Sequence, residues 1–143
     1  MNLNFQPMVE QDGKDSPLGN ILTVSALVAH EFSMAGYSLT DLDVQSALIA
    51  DFAIYAGWNT PYSKENNLPT PVDETQIISF NDWAVLEPLV RAHCELLQSQ
   101  RVEGTGSLGN ERFGLSVSEA TQNYNLAKEN MKKEAYVEPP FTL

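Results

Sequence analysis

The sequence predicts a mainly α protein: a small bundle of about four helices with a long proline-containing loop, an N-terminal arm and an extended C-terminal tail. Three observations predict it. Apolar residues recur at intervals of three and four through 40–57, 79–97 and 117–131, the spacing that puts them on one helix face. Helix-opening residues, Thr40, Ser79 and Ser116, stand ahead of those stretches. Prolines and glycines gather between them, where regular structure must stop. The chain has 143 residues, 43% of them apolar, which suits one domain with one modest core. It divides into an arm at 1–19, a helical core at 20–133 holding a loop at 58–76 and a hinge at 104–115, and a tail at 134–143.

Residues 1–19 are polar, contain Gly13, Pro17 and Gly19, and show no period, so they read as an arm or loop. In "NILTVSALVAHEFSMAGY", Ile21, Val24, Leu27, Val28 and Phe32 suit a helix face, while Leu22-Thr23-Val24-Ser25 also alternates as a strand would. The reading favours a helix stopped at Gly36. The next helix opens at Thr40, with Asp41 and Asp43 where carboxylates meet the positive helix end. Its apolar face takes Val44, Ala47, Leu48, Phe52 and Tyr55, with Asp51 on the polar side, and it ends at Gly57.

The stretch "WNTPYSKENNLPTPVDET" has three prolines and no period, and loops this long in a compact domain are functional or held by a neighbour. A third helix opens near Ser79, where Asp82 makes a capping box, and its face holds Trp83, Leu86, Val90, Cys94 and Leu97. Pro88 should kink or break it, and Gly104 ends it. The fourth helix opens with the capping box Ser116-Val117-Ser118-Glu119 and is mostly polar. Its narrow stripe, Val117, Ala120, Tyr124, Ala127 and Met131, suits docking on a partner or on a single neighbour.

Between the last two helices, "GTGSLG" matches the dinucleotide-binding pattern G-x-G-x-x-G. The setting fails. That pattern needs a strand entering and a helix opening on the glycines, whereas "CELLQSQRVE" enters as a helix and the next helix starts seven residues later. Gly104, Gly106 and Gly109 therefore read as a hinge.

No candidate chemistry assembles into an active site. His93 and Cys94 are adjacent on a helix, so they point about 100° apart, and no further cysteine or clustered histidine completes a metal set. The expectation is a core cysteine beside a surface or interface histidine. His30-Glu31 lacks the zinc-protease repeat. Asp41 and Asp43 are accounted for by the helix end, and "FGLSVSEA" has no nucleophile elbow. No catalytic, cofactor-binding or metal-ligating residue is assigned.

Charge narrows the partners. Nineteen acidic against eight basic residues give a net charge of -11, and residues 1–63 hold one basic residue, Lys14. Such a surface does not grip nucleic acid through its phosphates, although an acidic wall lets DNA slide past. A single cysteine makes no internal disulfide, and the opening residues lack a signal-peptide pattern, so the expectation is a protein made in a reducing cytoplasm. No apolar run is long enough for a membrane span. The end of the sequence carries Tyr136, Val137, Phe141 and Leu143 around Pro139-Pro140, which excludes helix. Extended apolar segments of this kind dock on a sheet edge or in a groove of a partner; the alternative is packing on the same domain.

The segments "FNDWAVLEPLVRAHCELLQSQ" and "ERFGLSVSEATQNYNLAKENMKKEAYVEPPFTL" together resemble small structural proteins of tailed bacteriophages, and "SLTDLDVQSALIADFAIYAGWNT" is similar to the first core helix of head-to-tail connector, or neck adaptor, proteins. The resemblance covers 38–57 and 79–143 and leaves 1–19 and the proline loop without a counterpart. It implies a homo-oligomeric ring, often dodecameric, between the portal protein and the adjacent neck or tail protein of the virion. DNA would pass through it without sequence-specific binding, and no membrane would be involved. Tyr136, Val137, Phe141 and Leu143 would form the docking tail, and the glycine hinge would let the fourth helix reach its neighbour. A capsid cement protein, a tail terminator and a small non-viral enzyme or binding protein are the alternatives.

Overall fold

The computed structural model describes residues 15–104 and 115–135, and over these the protein is mainly α. Its elements run β1 (Pro17–Asn20), α1 (Ile21–Met34), α2 (Asp41–Ala56), α3 (Tyr62–Glu65), β2 (Ile77–Ser79), α4 (Phe80–Gly104) and α5 (Val117–Ala135).

Local chemistry sets the ends of the helices. Asn20 caps α1: its side chain accepts from the Thr23 amide at 2.9 Å, and the Thr23 hydroxyl accepts from the Asn20 amide at 3.2 Å. At the other end Gly36 has φ 96°, a conformation open to glycine. There the Gly36 amide donates to Ser33 and the Tyr37 amide to Phe32, each at 2.9 Å, while the Tyr37 ring packs on Phe32. This double bond with its apolar contact turns the chain from α1 into α2. Thr40 and Asp43 form the same reciprocal cap on α2, Ser79 and Asp82 on α4, and Ser116 and Glu119 on α5. Three of these four openings match the sequence reading; the α1 cap at Asn20 is added by the structure.

The arm ends sooner than the sequence suggests. Pro17–Asn20 form β1, antiparallel to β2, with Gly19 opposite Ile78 and a bulge between Pro17 and Gly19. Helix openings leave amides without intrahelical acceptors, and the residues flanking this ribbon supply acceptors for two helices at once. The amides of Ile21 and Leu22 donate to the carbonyls of Gln76 and Glu74, and the amide of Phe80 donates to Ser16. The first two bonds hold the proline loop at its C-terminal end, and the loop includes the single turn α3. Pro88 does not break α4, which runs unbroken for 25 residues with Pro88 on its exposed side.

The core lies where α1, α2 and α4 meet. Ile21, Val24 and Val28 pack with Val44, Leu48 and Phe52 and with Leu86, Leu89, Val90 and Cys94. Helix α5 closes it through Ala120, Met131 and Ala135, all buried, laid chiefly on α4 of the same chain. The narrow stripe of α5 is thus used within the molecule, and Gly104 is the last residue of α4. Gly106 and Gly109 lie outside the described residues.

Candidate functional site

Two buried carboxylates organise the polar interior. Asp51 stands in the middle of α2, between Leu48 and Phe52, and is fully buried. The sequence reading placed it on the polar side. It lies seven residues after Val44, two helical turns on, which returns it to the face that packs on α4 and α5. Its oxygens accept from His93 Nδ1 on α4 at 3.0 Å and from the Tyr124 hydroxyl on α5 at 2.9 Å. The His93 and Tyr124 rings lie 4.7 Å apart, and Lys128 Nζ stands over the outer side of Tyr124. Burial, and then the charge of Asp51, raises the Tyr124 phenol. Among the described residues the imidazole is hydrogen-bonded to Asp51 alone.

Cys94 turns the other way. It is fully buried, and burial followed by the Asp51 charge pushes its thiol up to about 12. Adjacent His93 and Cys94 thus differ in setting, the imidazole partly exposed and the thiol fully buried. Among the described residues no group of three His, Cys, Asp or Glu is placed to hold a metal ion.

The second carboxylate, Asp82, closes the first turn of α4. It accepts from the Tyr55 hydroxyl at 2.6 Å, from the Ser79 amide at 3.1 Å and from the Tyr62 amide at 3.3 Å. One side chain so joins α2, α3, β2 and α4. Further along α4, Glu95 accepts from the Tyr37 hydroxyl at 2.8 Å, and Gln98 accepts from the Ser38 amide. Burial and Glu95 together lift the Tyr37 phenol to about 12. Arg91 bridges Glu31 and Glu87, and Arg101 bridges Asp43 and the Ser38 carbonyl. Glu95, Gln98, Arg91 and Arg101 of α4 thus hold α1, α2 and the turn between them.

Among the described residues an open groove lies on the outside. Between α4 and α5 lies a groove of about 350 Å³ whose walls include Val85, Pro88, Leu126, Ala127 and Met131, with Glu134 at one end. Leu126 is 61% exposed there. On the other flank of α5, Trp58 is half exposed beside Lys132 and Lys133, with Lys132 Nζ 5.4 Å from its ring centre. Sequence reasoning missed this groove because Leu126 falls outside the apolar stripe of α5 and Val85 and Pro88 outside that of α4. The proposed docking residues Tyr136, Val137, Phe141 and Leu143 lie outside the described residues. They directly follow the last turn of α5, the turn that carries Glu134.

Comparison with protein-family models, with curated proteins and with solved structures finds no match for this chain.

Proposed function

We propose that this protein is a structural virion subunit, a head-to-tail connector of a tailed bacteriophage that joins the portal to the neck or tail as part of a ring lining the DNA exit channel. The observation that carries the reading is the apolar groove between α4 and α5, set beside a chain end that leads into Tyr136, Val137, Phe141 and Leu143. A docking surface and a docking segment on one small subunit are what assembly through adjacent copies or rings requires. The interior supports the same reading. The Asp51 and Asp82 carboxylates accept hydrogen bonds from within the fold and tie its helices together. The net charge of -11 suits a wall past which DNA moves without adhering.

The test is binding to portal-bearing capsids that lack their neck proteins, with the full chain compared to a form ending at Ala135. That end point keeps α5 whole, including the buried Ala135. The full chain is expected to co-sediment with the particles and the shortened form to remain in the supernatant. Failure of the full chain to bind would overturn the connector reading.

A further inference from the structure

We infer that the groove between α4 and α5 receives residues 136–143 of a second copy of this chain, so that the subunits join tail to groove in one direction around a ring. The inference rests on the assembly reading above and names its contact.

The argument begins with reach and direction. The eight residues 136–143 span about 26 Å when extended. The groove runs beside α5 from Asn123 to Glu134, roughly 17 Å of helix. To lie in the groove of its own chain, the segment would have to reverse as soon as α5 ends and run back along it. Reversals at helix ends rely on glycine or asparagine in the left-handed conformation. The sequence after Ala135 offers neither, reading Tyr136, Val137 and Glu138 ahead of Pro139-Pro140. A segment leaving α5 in its own direction needs no reversal to meet another copy.

Chemistry agrees with direction. The segment offers Val137, Phe141 and Leu143 around a stiff Pro139-Pro140 pair, which loses little freedom on binding. The groove offers Leu126, Val85 and the exposed Pro88 to these apolar side chains. Tail and groove are different surfaces, so the contact is heterologous and propagates until it closes.

Complementation tests this with the full chain. Phe141→Asp spoils the tail, and the pair Leu126→Asp with Asn130→Lys spoils the groove at two exposed positions that the core does not use. Native mass spectrometry should find wild-type multimers and monomers of each variant, with unchanged melting temperatures. An equimolar mixture of the two variants should give a one-to-one dimer and nothing larger, since only one sound tail and one sound groove remain per pair. A mixture that stays monomeric, or a groove variant that assembles to wild-type mass, would overturn the inference. The second result would leave the assembly reading intact. A wild-type chain that stays monomeric also overturns the tail-to-groove contact, and capsid binding then decides the connector reading separately.

Discussion

Asp51 and Asp82 are both buried and both accept from a tyrosine, yet they are held in different ways. Asp82 sits at a helix opening, where two backbone amides and the Tyr55 hydroxyl converge on it. Asp51 sits in mid-helix, where the amides are already committed, and it is held only by side chains, those of His93 and Tyr124. The backbone supplies fixed donors that cannot turn away, whereas His93 and Tyr124 are partly exposed and water can replace their partner. The first arrangement should therefore matter more to stability than the second.

The largest effect is expected from Asp82→Ala. It leaves three donors without an acceptor around a buried phenol, and unfolding in urea should show a loss of about 3 to 4 kcal/mol. Tyr55→Phe removes one donor and leaves the capping bonds in place, so it should cost about 1 kcal/mol. Equal losses from the two variants would mean that the amides contribute nothing and that the phenol alone carries this cluster.

Asp51→Ala should cost less, about 2 kcal/mol, because His93 and Tyr124 can turn to water. A double-mutant cycle with Tyr124→Phe should give a coupling near 1 kcal/mol, since removing either side of one hydrogen bond makes removal of the other cheaper. A loss from Asp51→Ala above that from Asp82→Ala would reverse the comparison. Side-chain contacts among three helices would then outweigh the backbone cap.

The same contrast governs what the sequence reveals. Asp82 was legible because its cap is local: Ser79 stands three residues before it, and spacing alone announces the helix start. Gly36, Thr40 and Ser116 were legible for the same reason. Asp51 left a fainter signal, a carboxylate two turns after Val44 on an apolar face, but His93 and Tyr124 lie 42 and 73 residues away and no local pattern joins them. The ribbon β1–β2 was harder still. Strands of four and three residues with a bulge carry too few alternations to show a period, and they exist because two helix openings need acceptors. The groove follows from how α5 lies on α4, a tertiary fact that the periodicity of neither helix contains.

Ser25 offers a third kind of buried polar group, one with nothing to hold. Its hydroxyl is buried in α1 and has no hydrogen-bond partner among the described residues. Ser25→Ala removes that hydroxyl and places the better helix former in mid-helix, so it should stabilise the fold by roughly 1 kcal/mol. Thermal unfolding measures this directly. A destabilisation of similar size would show that the hydroxyl is bonded in solution, which would bring Ser25 into line with the two aspartates.

The smallest effect belongs to the exposed counterpart of these clusters, Asp43. Its side chain is one-quarter exposed and meets Arg101 at 3.0 Å. The hydrogen bond from Arg101, with those from Thr40, lowers its carboxyl from 3.8 to about 2. A carboxyl lowered on folding stabilises the native state above its unfolded value and loses that contribution as pH falls through the folded value. The contribution of Asp43 is thus present at neutral pH, declines from about pH 4 and is lost only below about pH 2. Solvent screens the pair, so its size should be only about 0.5 kcal/mol, and less at high salt. Asp43→Asn keeps an oxygen for the Thr40 cap while removing the charge. Its stability should fall below wild type by that amount at pH 7 and converge on it as pH falls below about 2. A neutral-pH deficit of about 2 kcal/mol would put an exposed pair level with Asp51, and burial could then no longer be what ranks these carboxylates.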